Sequence, residues 1–95
     1  MFILSLTYTA PLEQVDALRP AHLAWLKSGH AAGHFVGWGR KVPAIGGIIL
    51  AVGDRADEIA AFANTDPYIV GGVATVEVIE FSPVFIAPGL EALAP

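Results

Sequence analysis

The stretch from Ile45 to Val52 is apolar almost throughout, broken only by Gly46 and Gly47. No other segment restricts the fold as much. It is far shorter than the ~20 residues of a membrane-spanning helix. It is also too continuous for a strand with one wet face, which would alternate apolar and polar residues, so it reads as a central strand covered on both faces. A central strand needs neighbours, and the flanking segments supply them.

Phe2 to Thr9 alternates, with Phe2, Leu4, Leu6 and Tyr8 on one side and Ile3, Ser5, Thr7 and Thr9 on the other. That is the period of a strand. Beyond Pro11 the period changes. Val15, Leu18, His22, Trp25, Leu26 and Gly29 fall three and four apart, on one helical face. Glu13 and Asp16 come early and Lys27 late, which suits the helix dipole. Pro20 inside a continuous helix would cost about 3 kcal/mol. The main helix is therefore predicted to begin near Arg19-Pro20, or to kink sharply there, and to end between Gly29 and Gly33.

Phe35–Gly39 reads as a short glycine-rich strand and Arg40–Ala44 as a loop containing Pro43. After a turn at Gly53-Asp54, Asp54 or Asp57 is expected to cap a second helix running to about Asn64, with Ile59, Phe62 and Ala63 inward. Asp66-Pro67 ends it, because the residue before a proline avoids helical angles. Gly71-Gly72 is a loop and Val73–Phe81 a last strand, interrupted by Glu77 and Glu80. A tail punctuated by Pro83, Pro88 and Pro95 carries a possible short strand at Val84–Ile86. The expected organisation is a single domain over 1–95, with its core at about 1–82 and the tail at 83–95.

The order strand, helix, strand, strand, helix, strand is that of a ferredoxin-like β-α-β-β-α-β unit, an α+β fold with an antiparallel sheet. Its first and third strands are central and both helices cover one face, which leaves the other face bare. Composition agrees. The chain is 55% apolar and 15% charged, against about 45–50% and about 25% in ordinary domains. A homodimer formed by pairing two bare faces would absorb the surplus, since permanent interfaces resemble a core cut in half. Such pairing is expected to enclose a cavity.

Nine acids against five bases, with no basic run, disfavour nucleic acid as a partner. No apolar run is long enough for a membrane. The absence of cysteine excludes disulfides, thiolate catalysis and cysteine metal sites. No signal-type pattern opens the sequence, so a cytoplasmic protein is expected.

His22 lies on the apolar stripe with Leu18, Trp25 and Leu26. An imidazole suits proton transfer near neutral pH, as general base or acid. Equally, it could be a core histidine satisfied by a backbone carbonyl. Asp66 has two readings as well: an orienting partner that fixes the His22 tautomer, or an ordinary turn residue before Pro67. His30 and His34 are four apart, but Gly29 and Gly33 interrupt the helix and no acid completes a set, so no metal site is expected. Gly37-Trp38-Gly39 and Gly46-Gly47 lack the lysine and hydroxyl of a phosphate loop and suit a bulge or a close approach instead. Arg40 and Lys41 either meet an anionic substrate at a cleft mouth or lie solvated at a loop tip. Trp25, Trp38, Phe35 and Tyr68 are candidates for an apolar pocket, with core packing the plainer alternative.

Taken together, Arg19-Pro20-Ala21-His22-Leu23, Gly33, Gly37-x-Gly39, Gly46-Gly47, Asp66-Pro67-Tyr68 and Gly72 resemble, in order and spacing, the YCII-related (YciI-like) family over about Met1 to Val84. The resemblance implies a dimeric α+β barrel of two ferredoxin-like subunits. It also implies that His22 and Asp66 form a catalytic dyad in a pocket. It suggests cofactor-free lyase or isomerase chemistry on small cyclic or aromatic compounds, dehydrochlorination included. Relatives often carry Gly-Pro after the second strand, where this chain reads Gly39-Arg40-Lys41-Val42-Pro43, so the loop that meets the substrate differs. The expected function is proton transfer on a small-molecule substrate by His22, oriented by Asp66, with Arg40, Trp25, Trp38 and Tyr68 binding the substrate and no cofactor. The alternatives are a non-catalytic ligand-binding or accessory module and, from the wider barrel fold alone, cofactor-free oxidation of an aromatic substrate.

Overall fold

The computed structural model describes residues 1–93; Pro95 lies outside them. The alternating segment forms strand β1 (Phe2–Tyr8), and the apolar run forms β3 (Gly46–Ala51). With β2 (Phe35–Arg40) and β4 (Ala74–Glu80) they make one antiparallel sheet in the order β2-β3-β1-β4. The first and third strands are the central ones, as the apolar run requires. A register shift between Phe35 and Gly37 marks a bulge at the start of β2.

The first helical stretch divides into α1 (Leu12–Ala17) and α2 (Arg19–Ala31), with Leu18 ending one and preceding the other. Pro20 thus falls in the first turn of α2, where its missing N–H breaks no helical bond. Helix α3 spans Ala56–Ala63 and α4 spans Pro67–Val70, with a short 3₁₀ turn at Glu91–Leu93. None of the described helices is long and apolar enough to cross a membrane.

The inward row Phe2, Leu4 and Leu6 packs with Val15, Leu26, Ile59 and Tyr68, one from each helix, in a single buried cluster. Ile59 and Ala63 of α3 are buried and Phe62 packs against them. All four α-helices therefore lie on one sheet face. The opposite face carries Ile3, Ser5, Ile48, Leu50 and Ile79, side by side in the strand register and only partly covered. Within one chain the apolar run is thus sealed on one side only.

Two local expectations fail for identifiable reasons, and a third holds but is incomplete. Neither Asp54 nor Asp57 caps α3. The helix begins at Ala56, so its cap is Arg55, which makes no side-chain cap bond. Asp57 lies in the first turn and pairs instead with Arg55 (2.9 Å), whose hydrogen bond holds its carboxyl below the usual range. Val84–Ile86 is not a strand. Phe81 N–H bonds to Met1 C=O at the start of β1, so no strand remains beyond it for the tail to pair with. Finally, Asp66-Pro67 does more than end a helix: Pro67 opens α4, again in the first turn.

Candidate active site

Helix α2 turns Arg19, His22, Leu23 and Leu26 toward the sheet. Between them lies a cavity of about 280 Å³. A dry cavity of about 150 Å³ accepts benzene, so this one has room for a single substituted ring. It sits on the helix-covered side of one chain. The expectation that paired bare faces would enclose the cavity is therefore corrected: it needs only the gap between α2 and the strands. Strand pairing places Leu6, Gly47 and Arg40 in one row on that side, and Gly47 contributes no side chain to the floor.

Asp66 precedes α4 as its cap, and its Oδ1 accepts the Tyr68 backbone N–H at 3.0 Å. The same oxygen lies 2.7 Å from His22 Nδ1. An ionised carboxylate oxygen can only accept, so Nδ1 carries the hydrogen and donates it, and in the neutral ring Nε2 is then the nitrogen with the bare lone pair. Asp66 is 1% exposed, and its Oδ2 has no partner among the described residues. The His22 ring stacks on Tyr68, with centroids 3.8 Å apart and planes 10° from parallel. The imidazole is thus held both by a hydrogen bond and by an aromatic face.

At the β2 end of the cavity, Arg40 donates from Nη2 to Asp16 (2.7 Å) and from Nε to the Tyr8 hydroxyl (3.1 Å). These bonds, Asp16 foremost, raise the guanidinium further above its ordinary value. Burial raises the Tyr68 phenol, while Arg40 and Arg19 act in the opposite direction. A phenol whose ordinary value is about 10 and is raised from there stays protonated at neutral pH, and so remains a donor.

His22, Tyr68, Trp38 and Arg40 line this one cavity. Asp66 stands behind His22 rather than in the wall. Trp25 is not in the wall either. Its Nε1 donates to Thr65 Oγ1 (2.9 Å), and its ring packs with Phe35 and Phe62. Lys41 and Phe35 also lie outside the lining. His30 Nδ1 is bonded to the Phe35 carbonyl (2.8 Å). Among the described residues, no group of three His, Asp or Glu side chains could hold a metal.

Two wall residues escaped the sequence reading. Tyr8 ends the inward row of β1, and an inward tyrosine needs a partner for its hydroxyl. Arg19 stands one helical turn before His22, and i, i+3 residues share a face. Both signals were legible in hindsight.

A four-stranded antiparallel sheet with its helices on one face is a ferredoxin-like α+β domain, here with a ring-sized cavity beneath one helix. The chain belongs to the YCII-related domain family, whose pattern matches residues 1–82. Among solved structures it is similar to 5-chloro-2-hydroxyhydroquinone dehydrochlorinase (TftG) from Burkholderia phenoliruptrix, determined in complex with 2,5-dihydroxybenzoquinone. The TM-score is 0.70 at 20% identity, covering 86% of this chain and 94% of that one. No curated protein matches the sequence.

Proposed function

We propose that the protein is a cofactor-free enzyme of the lyase or isomerase type that transfers a proton on a small hydroxylated ring compound. The observation that supports this most is the 2.7 Å bond between His22 and Asp66 beside a ring-sized cavity. His22 Nε2 takes a proton from the substrate, and Asp66 holds the ring in the one tautomer that can accept it. The electron pair left behind moves toward a substrate oxygen, where the Tyr68 hydroxyl and Arg40 stabilise the charge. In an isomerisation His22 returns the proton to a different carbon. In an elimination the pair expels a halide, and His22 is left protonated. The similar fold of a dehydrochlorinase favours the elimination.

The test is deuterium exchange. In heavy water, a panel of halogenated and hydroxylated aromatics is expected to exchange a ring proton or release halide when the protein is added, read by proton NMR and halide electrode. If members of the panel bind without exchange or halide release, the catalytic reading falls and a ligand-binding module takes its place.

We also read the working unit as a homodimer formed through the helix-free face. Ile3, Ile48, Leu50 and Ile79 form a contiguous apolar patch there, and a stable interface buries about 800 Å² on each partner. Sedimentation at micromolar concentration is expected to give twice the chain mass, falling to one chain in Leu50→Lys. A monomeric parent protein would overturn this reading.

A further inference from the structure

The cavity wall is chemically one-sided. The chain carries nine acids against five bases, yet the wall contains Arg19, Arg40 and His22 and no carboxylate. Arg40 is committed to Asp16, whereas Arg19 forms no ion pair or side-chain hydrogen bond with any described residue. The Tyr8 hydroxyl accepts from Arg40, so its own hydrogen remains to be donated. The Tyr68 hydroxyl has no partner among the described residues, and its raised pKa keeps its proton on at neutral pH. The indole of Trp38 can only donate. The side chains therefore offer more donors than acceptors, and His22 Nε2 is the one basic acceptor among them.

We infer that the cavity selects ring compounds bearing a negative charge, a carboxylate or an ionised hydroxyl, and that Arg19 is the residue that binds this charge. Arg19 and His22 are three residues apart on α2, about 4.5 Å along the helix axis, comparable with the span of one ring. A substrate whose anionic group meets Arg19 presents its far side to Nε2. Its remaining oxygens meet the hydroxyls of Tyr8 and Tyr68, which can donate to oxyanions and carbonyls. A neutral ring forgoes the ion pair with Arg19, which stands exposed at the edge of the cavity. Arg40 is held in place by its bonds to Asp16 and Tyr8, so Arg19 is the cation of the wall that is free to move onto the charge a substrate brings with it.

The inference rests on the reading of this cavity as the substrate site, but its test does not require turnover. Isothermal titration calorimetry at neutral pH compares 3,4-dihydroxybenzoate with 3,4-dihydroxybenzamide, which share the ring and both hydroxyls and differ in charge. The acid is expected to bind about tenfold tighter, the size of one charge-assisted hydrogen bond. Arg19→Gln is expected to remove most of that preference and to leave the amide's affinity unchanged, while Arg19→Lys retains most of it. Because Arg19 is exposed and pairs with no described residue, both variants should melt with the parent protein. Equal affinity for acid and amide in the parent, or an unchanged preference in Arg19→Gln, overturns the inference and leaves the substrate site standing. Failure of both ligands to bind overturns the two together.

Discussion

Replacing His22 by alanine is expected to lower turnover by about 10²–10⁴, the usual contribution of a positioned acid–base group. The substrate is whichever compound exchanges or loses halide with the parent protein. Binding of that compound should change little, because the alanine enlarges the cavity without removing Arg19 or the two tyrosine hydroxyls. The variant forfeits the stack on Tyr68, worth roughly 0.5–1.5 kcal/mol, and deprives the buried Asp66 carboxylate of its imidazole partner, worth roughly 1–3 kcal/mol more, so it should melt measurably early and is assayed below its own melting temperature. Asp66→Asn sharpens the test. Asparagine caps a helix about as well as aspartate and can still accept the Tyr68 N–H, so α4 is retained. Its amide, however, supplies no negative charge to the imidazole and can turn its NH₂ toward Nδ1, imposing the wrong tautomer. In a serine protease triad the corresponding change costs about 10⁴ in turnover, and a loss of at least tenfold is expected here. Full activity in folded His22→Ala would remove His22 from the mechanism. A loss confined to the alanine variant would mean that Asp66 serves the fold alone.

The largest expected effect on stability comes from Gly46→Ala. A Cβ at this position would lie inside the van der Waals shell of the Leu6 carbonyl oxygen and close to Cα of Thr7. The obstruction is backbone, so no side chain can rotate away to relieve it. The central pair β1–β3 would have to part, and with it the Phe2, Leu4 and Leu6 row that forms the core. A cost of about 3 kcal/mol is expected, the upper end for overpacking. For a domain of this size that lowers Tm by roughly 12–24 °C. Gly39→Ala is the control, since nothing lies within 4 Å of a Cβ there. Replacing a strand glycine by alanine is neutral or stabilising by up to about 1 kcal/mol. Denaturant titration of the three proteins decides the matter, and equal midpoints for the two variants would refute the close approach at Gly46.

The parts of this fold that sequence reading reaches are those governed by local period and by proline. The alternation of Phe2–Tyr8 becomes β1, the continuous run around Ile48–Leu50 becomes a central strand, though one sealed on a single face within the chain, and of the two readings open to Pro20 the structure adopts the new helix at Arg19. The short helix at Pro67–Val70 was hidden because Asp-Pro carries two messages. It stops the helix before it, and it also supplies a capping carboxylate and a first-turn proline for another. The pairing of His22 with Asp66 was reached through the joint pattern of two motifs, since neither residue announces a partner 44 positions away. Which residues line the cavity was beyond local pattern. Trp25 and His22 share a helical stripe, yet a difference of three positions directs Trp25 toward Phe35 and Phe62 and His22 toward the gap. The side of the sheet on which the gap opens depends on how closely α2 approaches, and this is set by packing across the whole chain.

Asp66 Oδ1 seats the first turn of Pro67–Val70 and the imidazole at once. Local order and the proposed proton transfer are thereby tied to a single atom. A chain in which that turn has frayed has also released its base and the tyrosine against which the base rests. On the proposed mechanism, partly opened molecules are inert toward the compounds they meet until the segment closes.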